Sequence, residues 1–424
     1  MFSPMGNATT RRRVNQTQPL PTKPAKRHIY LGIDVPLLLV TITLVIFGLV
    51  MVYSASTDYS LLLYGNPSKI FTRQLQVFGL GIIALIFLTF FDYRFWLKLA
   101  LPALVVSIAA LVAVLIINEE RHGAVRTLWE GSIQPSELAK LVMIIYLSVW
   151  LFSKRDILKD VKFGLFPMAG ILGIVGGLII VQPDISAFIT IFILGGVLFF
   201  LAGGDLKQIF MLIVIAALVG TLIVLSSETG SQRISSFLPG LVDPMQAPYH
   251  VRRSMEAMVN GGWFGVGIGN ALTKYTGLPV PPTDSIFAVV GEETGVLGAT
   301  FLIGLYLAFL WRGMTIARRA PDGLGSLLAA GLSIWIVMEA MINMAVMVNL
   351  LPFAGNALPF ISYGGSNLFV SLCAVGILLN ISRLSTKTKE EEGRLFGEVI
   401  DLRWRNRRRR VSSSRRVGSN KPGA

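Results

Sequence analysis

The sequence contains one cysteine, Cys373, and it lies inside an apolar run, which leaves no disulfide framework and no cysteine metal site. Histidine is almost as rare. His28, His122 and His250 are too scattered to form a histidine metal cluster. Charge is scarce too: 15% of the 424 residues are charged and 53% are hydrophobic, whereas a soluble domain carries about a quarter charged residues. A surface facing water cannot be covered at that density, so lipid is the expected solvent. The glycine cluster Gly261, Gly262, Gly265, Gly267 and Gly269 follows no strand, which excludes a nucleotide-binding loop and favours tight turns or close helix approach.

Long apolar runs are what the chain does have. They cover residues 35–53, 75–91, 99–117, 136–152, 163–181, 185–202, 209–227, 294–311, 324–348 and 362–381, each close to the roughly 20 residues that a spanning helix needs. The expected fold class is an all-α polytopic membrane protein of about ten transmembrane helices. The polar, basic start is longer than that of a signal peptide and the first apolar run too long for its core, so a retained signal anchor is expected. Gly170, Gly173, Gly176 and Gly177 predict a small-residue face for close helix contact.

The 38 basic residues, against 24 acidic ones, give a net charge of +14. Most fall on the side of the termini, and the short loops lean the same way. By the positive-inside rule both termini are expected in the cytoplasm. The expected layout is a basic N-terminal segment (1–33), a membrane domain (34–385) and a disordered basic tail (386–424) attracted to anionic membrane lipid. No nucleic-acid partner is implied. Two outer segments stand out: residues 228–293, between the seventh and eighth runs, and residues 349–365, which carry no charge and are rich in Pro, Gly and Asn. Loops of such length are usually functional when not disordered.

Ionisable residues at membrane depth call for an explanation. Glu137 and Lys140 share one helix face, either as a self-neutralising pair or as the lining of a polar cavity. Glu339, with Asn343 one turn on, poses the same question. Gln182, Pro183 and Asp184 interrupt an apolar stretch and read as a turn. Asp284 follows the non-helical stretch Leu278-Pro279-Val280-Pro281-Pro282-Thr283 and precedes an apolar run, with Glu292 and Glu293 beyond. Capping of a helix and catalysis are both open to it.

Certain blocks carry a resemblance: Met51–Ser56 after the first helix, Arg73-Gln74, Gln134–Lys140, Gln182-Pro183-Asp184, Gly261–Gly265, Thr283–Ala288 with Gly291-Glu292-Glu293, and Leu358–Ser366. In this order the chain resembles the shape, elongation, division and sporulation family (FtsW/RodA/SpoVE), polytopic peptidoglycan glycosyltransferases of the bacterial cytoplasmic membrane that polymerise lipid II. It departs from the family where Val280, Pro281 and Pro282 replace the middle of the stretch before the aspartate. Glu339 also stands where the family often has Gln.

The resemblance implies Asp284 as catalytic base, and as a ligand if a divalent cation (Mg or Mn) takes part. It implies substrate contacts from Arg73, Gln74, Arg126, Glu137, Lys140, Gln182, Asp184, Arg252, Arg253, Ser362 and Tyr363, the cations among them serving the diphosphate. It further implies a class B penicillin-binding transpeptidase as partner, with other proteins of the division or elongation machinery. A flippase for the lipid-linked precursor and a non-enzymatic scaffold of the division machinery are the rival readings.

Overall fold

The computed structural model describes residues 32–387 apart from 118–133, 183, 227 and 354. The N-terminal basic segment, Arg126, Pro183 and residues 388–424 lie outside the described residues. Among the described residues every regular element is a helix: α1 (Val35–Tyr64), α2 (Lys69–Phe90), α3 (Trp96–Ile117), α4 (Pro135–Ser153), α5 (Phe166–Val181), α6 (Ile185–Leu201), α7 (Leu206–Ser226), α8 (Glu228–Val242), α9 (Tyr249–Gly261), α10 (Ile286–Arg319) and α11 (Gly323–Met347). A last helix, α12, covers Gly365–Lys387. Eight of these, α1 to α5 (α5 together with the π-helical residues Val161–Leu165 that lead into it) and α10 to α12, are long and apolar enough to cross a membrane, while α6 and the apolar part of α7 (Leu206–Thr221) are shorter. The ten apolar runs fall on these ten helices.

Packing sorts them into layers. The apolar windows of α11 and α12 are 72% and 78% buried, against 22% for α2, so α11 and α12 form the centre and α2 lies at the edge. Asp34 caps α1 by accepting from Leu37 N at 2.9 Å and also takes the Arg312 guanidinium of α10 at 2.6 and 3.2 Å. Thr386 donates to the carbonyl of Gly32 at 3.3 Å. The described domain therefore begins and ends on one face.

Three features differ from the expectation. Helix α1 runs on to Tyr64, so Met51–Ser56 lies within it rather than after it. Its polar residues find partners there: Ser54 donates to Glu293 at 2.6 Å and Thr57 to the Tyr53 carbonyl at 2.7 Å. The segment 228–293 is not one loop, because it contains α8, α9 and the start of α10. The small-residue face is also absent. A Cβ at Gly176 would meet Phe192 and Phe188 at 2.7 and 2.9 Å, but at Gly170, Gly173 and Gly177 nothing stands within 4 Å. Those three glycines face outward and not toward a neighbouring helix.

The charge-free segment between α11 and α12 turns back into the bundle. The Tyr306 hydroxyl of α10 donates to the Pro359 carbonyl. A Cβ on Gly48 of α1 would lie 2.1 Å from the Phe360 carbonyl oxygen. Gly48 and Tyr306 each lie about 20 Å along their helices from the ends at the terminal face, at 1.5 Å per residue. Irregular backbone is tolerated at such depth only when protein surrounds it, and Leu358, Phe360 and Ile361 are buried. Phe360 is held at φ +68°, a left-handed conformation that its enclosure must stabilise.

Orientation can be read chemically. In a Cys373→Ser background, a cysteine at the exposed Ser235 is expected to react with an impermeant thiol reagent on intact spheroplasts, whereas one at Ser412 is not. Labelling of the tail with protection at 235 would invert the orientation.

Candidate active site

Three prolines keep residues 279–285 out of a helix, and each of the last four residues of the turn is fastened by a different group. The Pro282 carbonyl accepts from Tyr363 N at 2.7 Å. The Thr283 carbonyl accepts from Ser362 Oγ at 2.7 Å, and that hydroxyl in turn accepts from Leu358 N at 2.8 Å. The Asp284 carbonyl accepts from Asn343 Nδ2 of α11 at 3.0 Å, and the same amide donates to the Asn356 carbonyl at 2.6 Å. Ser285 Oγ lies 2.7 Å from the Pro279 carbonyl and 3.1 Å from His250 Nε2 of α9. The capping role considered for Asp284 belongs instead to Ser285, whose side chain makes no capping bond. The half-buried Asp284 carboxylate faces the re-entrant segment, where a Cβ on Gly355 would stand 3.5 Å from Oδ2.

Glu292 and Glu293 fix the other end of this region. Helix α10 breaks at Gly295 (φ 69°, ψ −171°). The break frees the Glu292 and Glu293 carbonyls to accept from Val266 N at 3.0 Å and Gly267 N at 3.1 Å. Val296 N and Leu297 N donate in return to the Gly262 and Trp263 carbonyls at 2.9 and 3.2 Å. The glycine cluster makes this close approach possible: a Cβ on Gly261 would meet the Gly291 oxygen at 2.1 Å. The Glu292 carboxylate accepts from Leu272 N at 3.0 Å and from the Thr273 hydroxyl. Glu293 pairs with Lys274 at 3.1 Å, both side chains buried. Both acids are therefore anchors. Gly295→Ala would put a side chain 2.5 Å from Gly265 N and the Trp263 oxygen, in a conformation essentially reserved for glycine that costs about 1–3 kcal/mol otherwise. Its yield of folded protein from detergent is expected to collapse, and a wild-type yield would refute this account of the break.

The pair noted in α4 is a triad. Lys140 Nζ is 2.9 Å from Glu137 Oε1 and also contacts Glu339 Oε1 of α11. Asn367 of α12 donates to Glu137 Oε2 at 3.1 Å. All four residues are buried. Gln74 of α2 holds the re-entrant segment through the Ser362 carbonyl (3.3 Å) and Gly364 N (3.4 Å). Arg73 reaches the Tyr363 phenol; burial raises that phenol's pKa, and the guanidinium partly offsets the rise.

Gln182 donates to the Leu111 carbonyl at 2.9 Å, and Asp184 caps α6 while accepting from Ser136 Oγ at 2.9 Å. Arg253 is engaged by Glu256 and by Thr276 Oγ1 at 2.7 Å, whereas Arg252 is exposed, its Nη1 3.4 Å from the Met245 carbonyl.

The structure thus gathers Gln74, Arg73, Ser362, Tyr363 and Asp284 around the re-entrant segment. Gln182 and Asp184 form the turn between α5 and α6. Sequence reasoning passed over His250 and Arg233, whose guanidinium lies 5.7 Å from the Phe353 ring. A lone imidazole within the longest outer segment was the available signal. Among the described residues no three acidic, cysteine or imidazole side chains stand together as a metal site. Among the described residues, a divalent cation here would have the Asp284 carboxylate as its protein ligand, one or two carboxylates being what Mg²⁺ commonly takes.

Helices of this length and composition, packed around buried polar and charged residues, define a multi-pass protein of the cytoplasmic membrane. The chain belongs to the FtsW/RodA/SpoVE family of cell cycle proteins, which it matches over residues 35–387. It is 37% identical over 358 residues to stage V sporulation protein E of Bacillus subtilis, covering 83% of this chain and 97% of that one. It is 37% identical over 353 residues to the probable peptidoglycan glycosyltransferase FtsW of Trichlorobacter lovleyi, covering 82% of this chain and 93% of that one. Among solved structures it is similar to a chain from a peptidoglycan synthase complex that coordinates polymerization and crosslinking (TM-score 0.69, 26% identity, 84% and 99% coverage). It is likewise similar to the rod shape determining protein RodA of Thermus thermophilus (TM-score 0.62, 25% identity, 84% and 98% coverage).

Proposed function

We propose that the cleft around Asp284 is where this chain polymerises lipid II, as a peptidoglycan glycosyltransferase of cell division or elongation. The observation that carries this reading is the turn 282–285, where four consecutive residues are each tied to a separate group while the Asp284 carboxylate faces the re-entrant segment. Pre-organisation of this kind is what positioning catalysis requires. The 4-hydroxyl of one lipid-linked disaccharide attacks the anomeric carbon of the other chain's reducing end. The bond from that carbon to the diphosphate oxygen breaks with inversion, and undecaprenyl pyrophosphate leaves with the electron pair. Asp284 takes the hydroxyl proton, as a carboxylate within hydrogen-bond reach can.

The departing diphosphate gains charge and needs cations. Arg73, beside Tyr363, and Arg233, over Phe353, stand at the re-entrant segment and are the candidates for this role. A divalent cation held by Asp284 would supply further charge neutralisation. A class B penicillin-binding transpeptidase is the expected partner, in keeping with the peptidoglycan synthase complex that one structural neighbour belongs to. Purified chain in detergent is expected to convert lipid II into glycan strands. Failure to do so, with movement of lipid II across reconstituted bilayers, would favour the flippase reading.

A further inference from the structure

His250 lies on α9, outside every motif that the family resemblance uses, yet its ring touches both the 279–285 turn and the re-entrant segment. Nε2 is 3.1 Å from Ser285 Oγ, and the ring centroid is 4.4 Å from that of Phe353 in the re-entrant segment. The hydrogens can be assigned by elimination. Ser285 Oγ has one proton and lies 2.7 Å from the Pro279 carbonyl, which can only accept. That proton is committed to Pro279, so the hydroxyl meets the imidazole as an acceptor and His250 donates through Nε2–H. Nδ1 is then the unprotonated nitrogen. It is buried with no hydrogen-bond partner among the described residues, which a neutral ring tolerates and an imidazolium would not. Burial agrees, lowering the His250 pKa to about 4.

We infer that His250 is a positioning residue for the polymerisation reaction: its Nε2–H sets the Ser285 hydroxyl, which closes the 279–285 turn and so fixes Asp284. The relay is short. His250 donates to Ser285, Ser285 donates to Pro279, and the peptide preceding Ser285 is that of Asp284, whose carbonyl Asn343 holds. The inference rests on the reading of Asp284 as the base.

The test compares His250→Phe, which keeps the aromatic contact with Phe353 and removes the donor, with His250→Gln, whose amide can still donate to Ser285. Both are purified as full chains and assayed for glycan strand formation across lipid II concentrations. Misplacing a reacting group by about 1 Å can cost on the order of 100-fold in rate. His250→Phe is therefore expected to lose about 10- to 100-fold in kcat with KM for lipid II little changed, and His250→Gln to recover most of it. A wild-type kcat in His250→Phe, or an equal loss in both variants, overturns the inference. Asp284→Asn is run alongside: its inactivity together with normal His250→Phe activity rejects the role of His250 alone, whereas an active Asp284→Asn rejects the base itself.

Discussion

Asp284→Asn is expected to polymerise lipid II at least about 100-fold more slowly than the wild type, since a general base typically contributes about 10²–10⁴-fold. The substitution is nearly isosteric. It leaves the backbone carbonyl free to accept from Asn343 and leaves the helix start to Ser285, so folded yield, membrane insertion and binding of a transpeptidase partner are expected to survive. Strand length and rate on lipid II, measured with purified protein, provide the check. Near-wild-type synthesis would assign the proton transfer to another group.

The second large effect concerns the buried triad. Lys140→Met leaves Glu137 and Glu339 facing each other without their cation, and breaking a buried ion pair from one side costs about 3–5 kcal/mol. Folded protein is expected to be largely lost, as read from monodisperse yield and thermal midpoint in detergent. Neutralising only Glu137 together with Lys140 would still strand Glu339, so three changes are needed. Glu137→Gln with Lys140→Met and Glu339→Gln is expected to recover folding and to polymerise within roughly tenfold of the wild type, because well-matched neutral replacements of buried ion networks are often tolerated. Recovered folding without activity would show that the triad acts on substrate.

Much of this was legible in the sequence, and the reasons are physical. Apolar runs of spanning length mark helices because lipid enforces them, and all ten runs fall on helices. Helix ends were less legible. The apolar run of α1 stops near Tyr53, but Ser54, Thr57 and Ser60 bond within the protein and carry the helix on to Gly65. The start of α10 was hidden for a similar reason, because Glu292 and Glu293 look like loop residues until their partners in 262–274 are known. Hydropathy also cannot report contact across the bundle. Lys140 and Glu339 lie far apart in the chain, so each was singled out but their partnership was not visible. Small residues misled at Gly170, Gly173 and Gly177, where spacing suggested packing and the neighbours are absent. Asp284 was singled out by its prolines and its matching block, whereas nothing local to His250 or Asn343 ties them to the 279–285 turn that they hold.

The central claim is that lipid II reacts in the cleft between the 279–285 turn and the re-entrant segment. Photo-crosslinking tests it most directly. A photoreactive amino acid at Thr283, beside Asp284, is compared with one at Gly173, which faces outward from α5. Labelled lipid II is expected to be captured at 283, to be displaced there by excess unlabelled substrate, and to show no displaceable capture at 173. Saturable capture at 173 with none at 283 would place the substrate elsewhere and contradict the account.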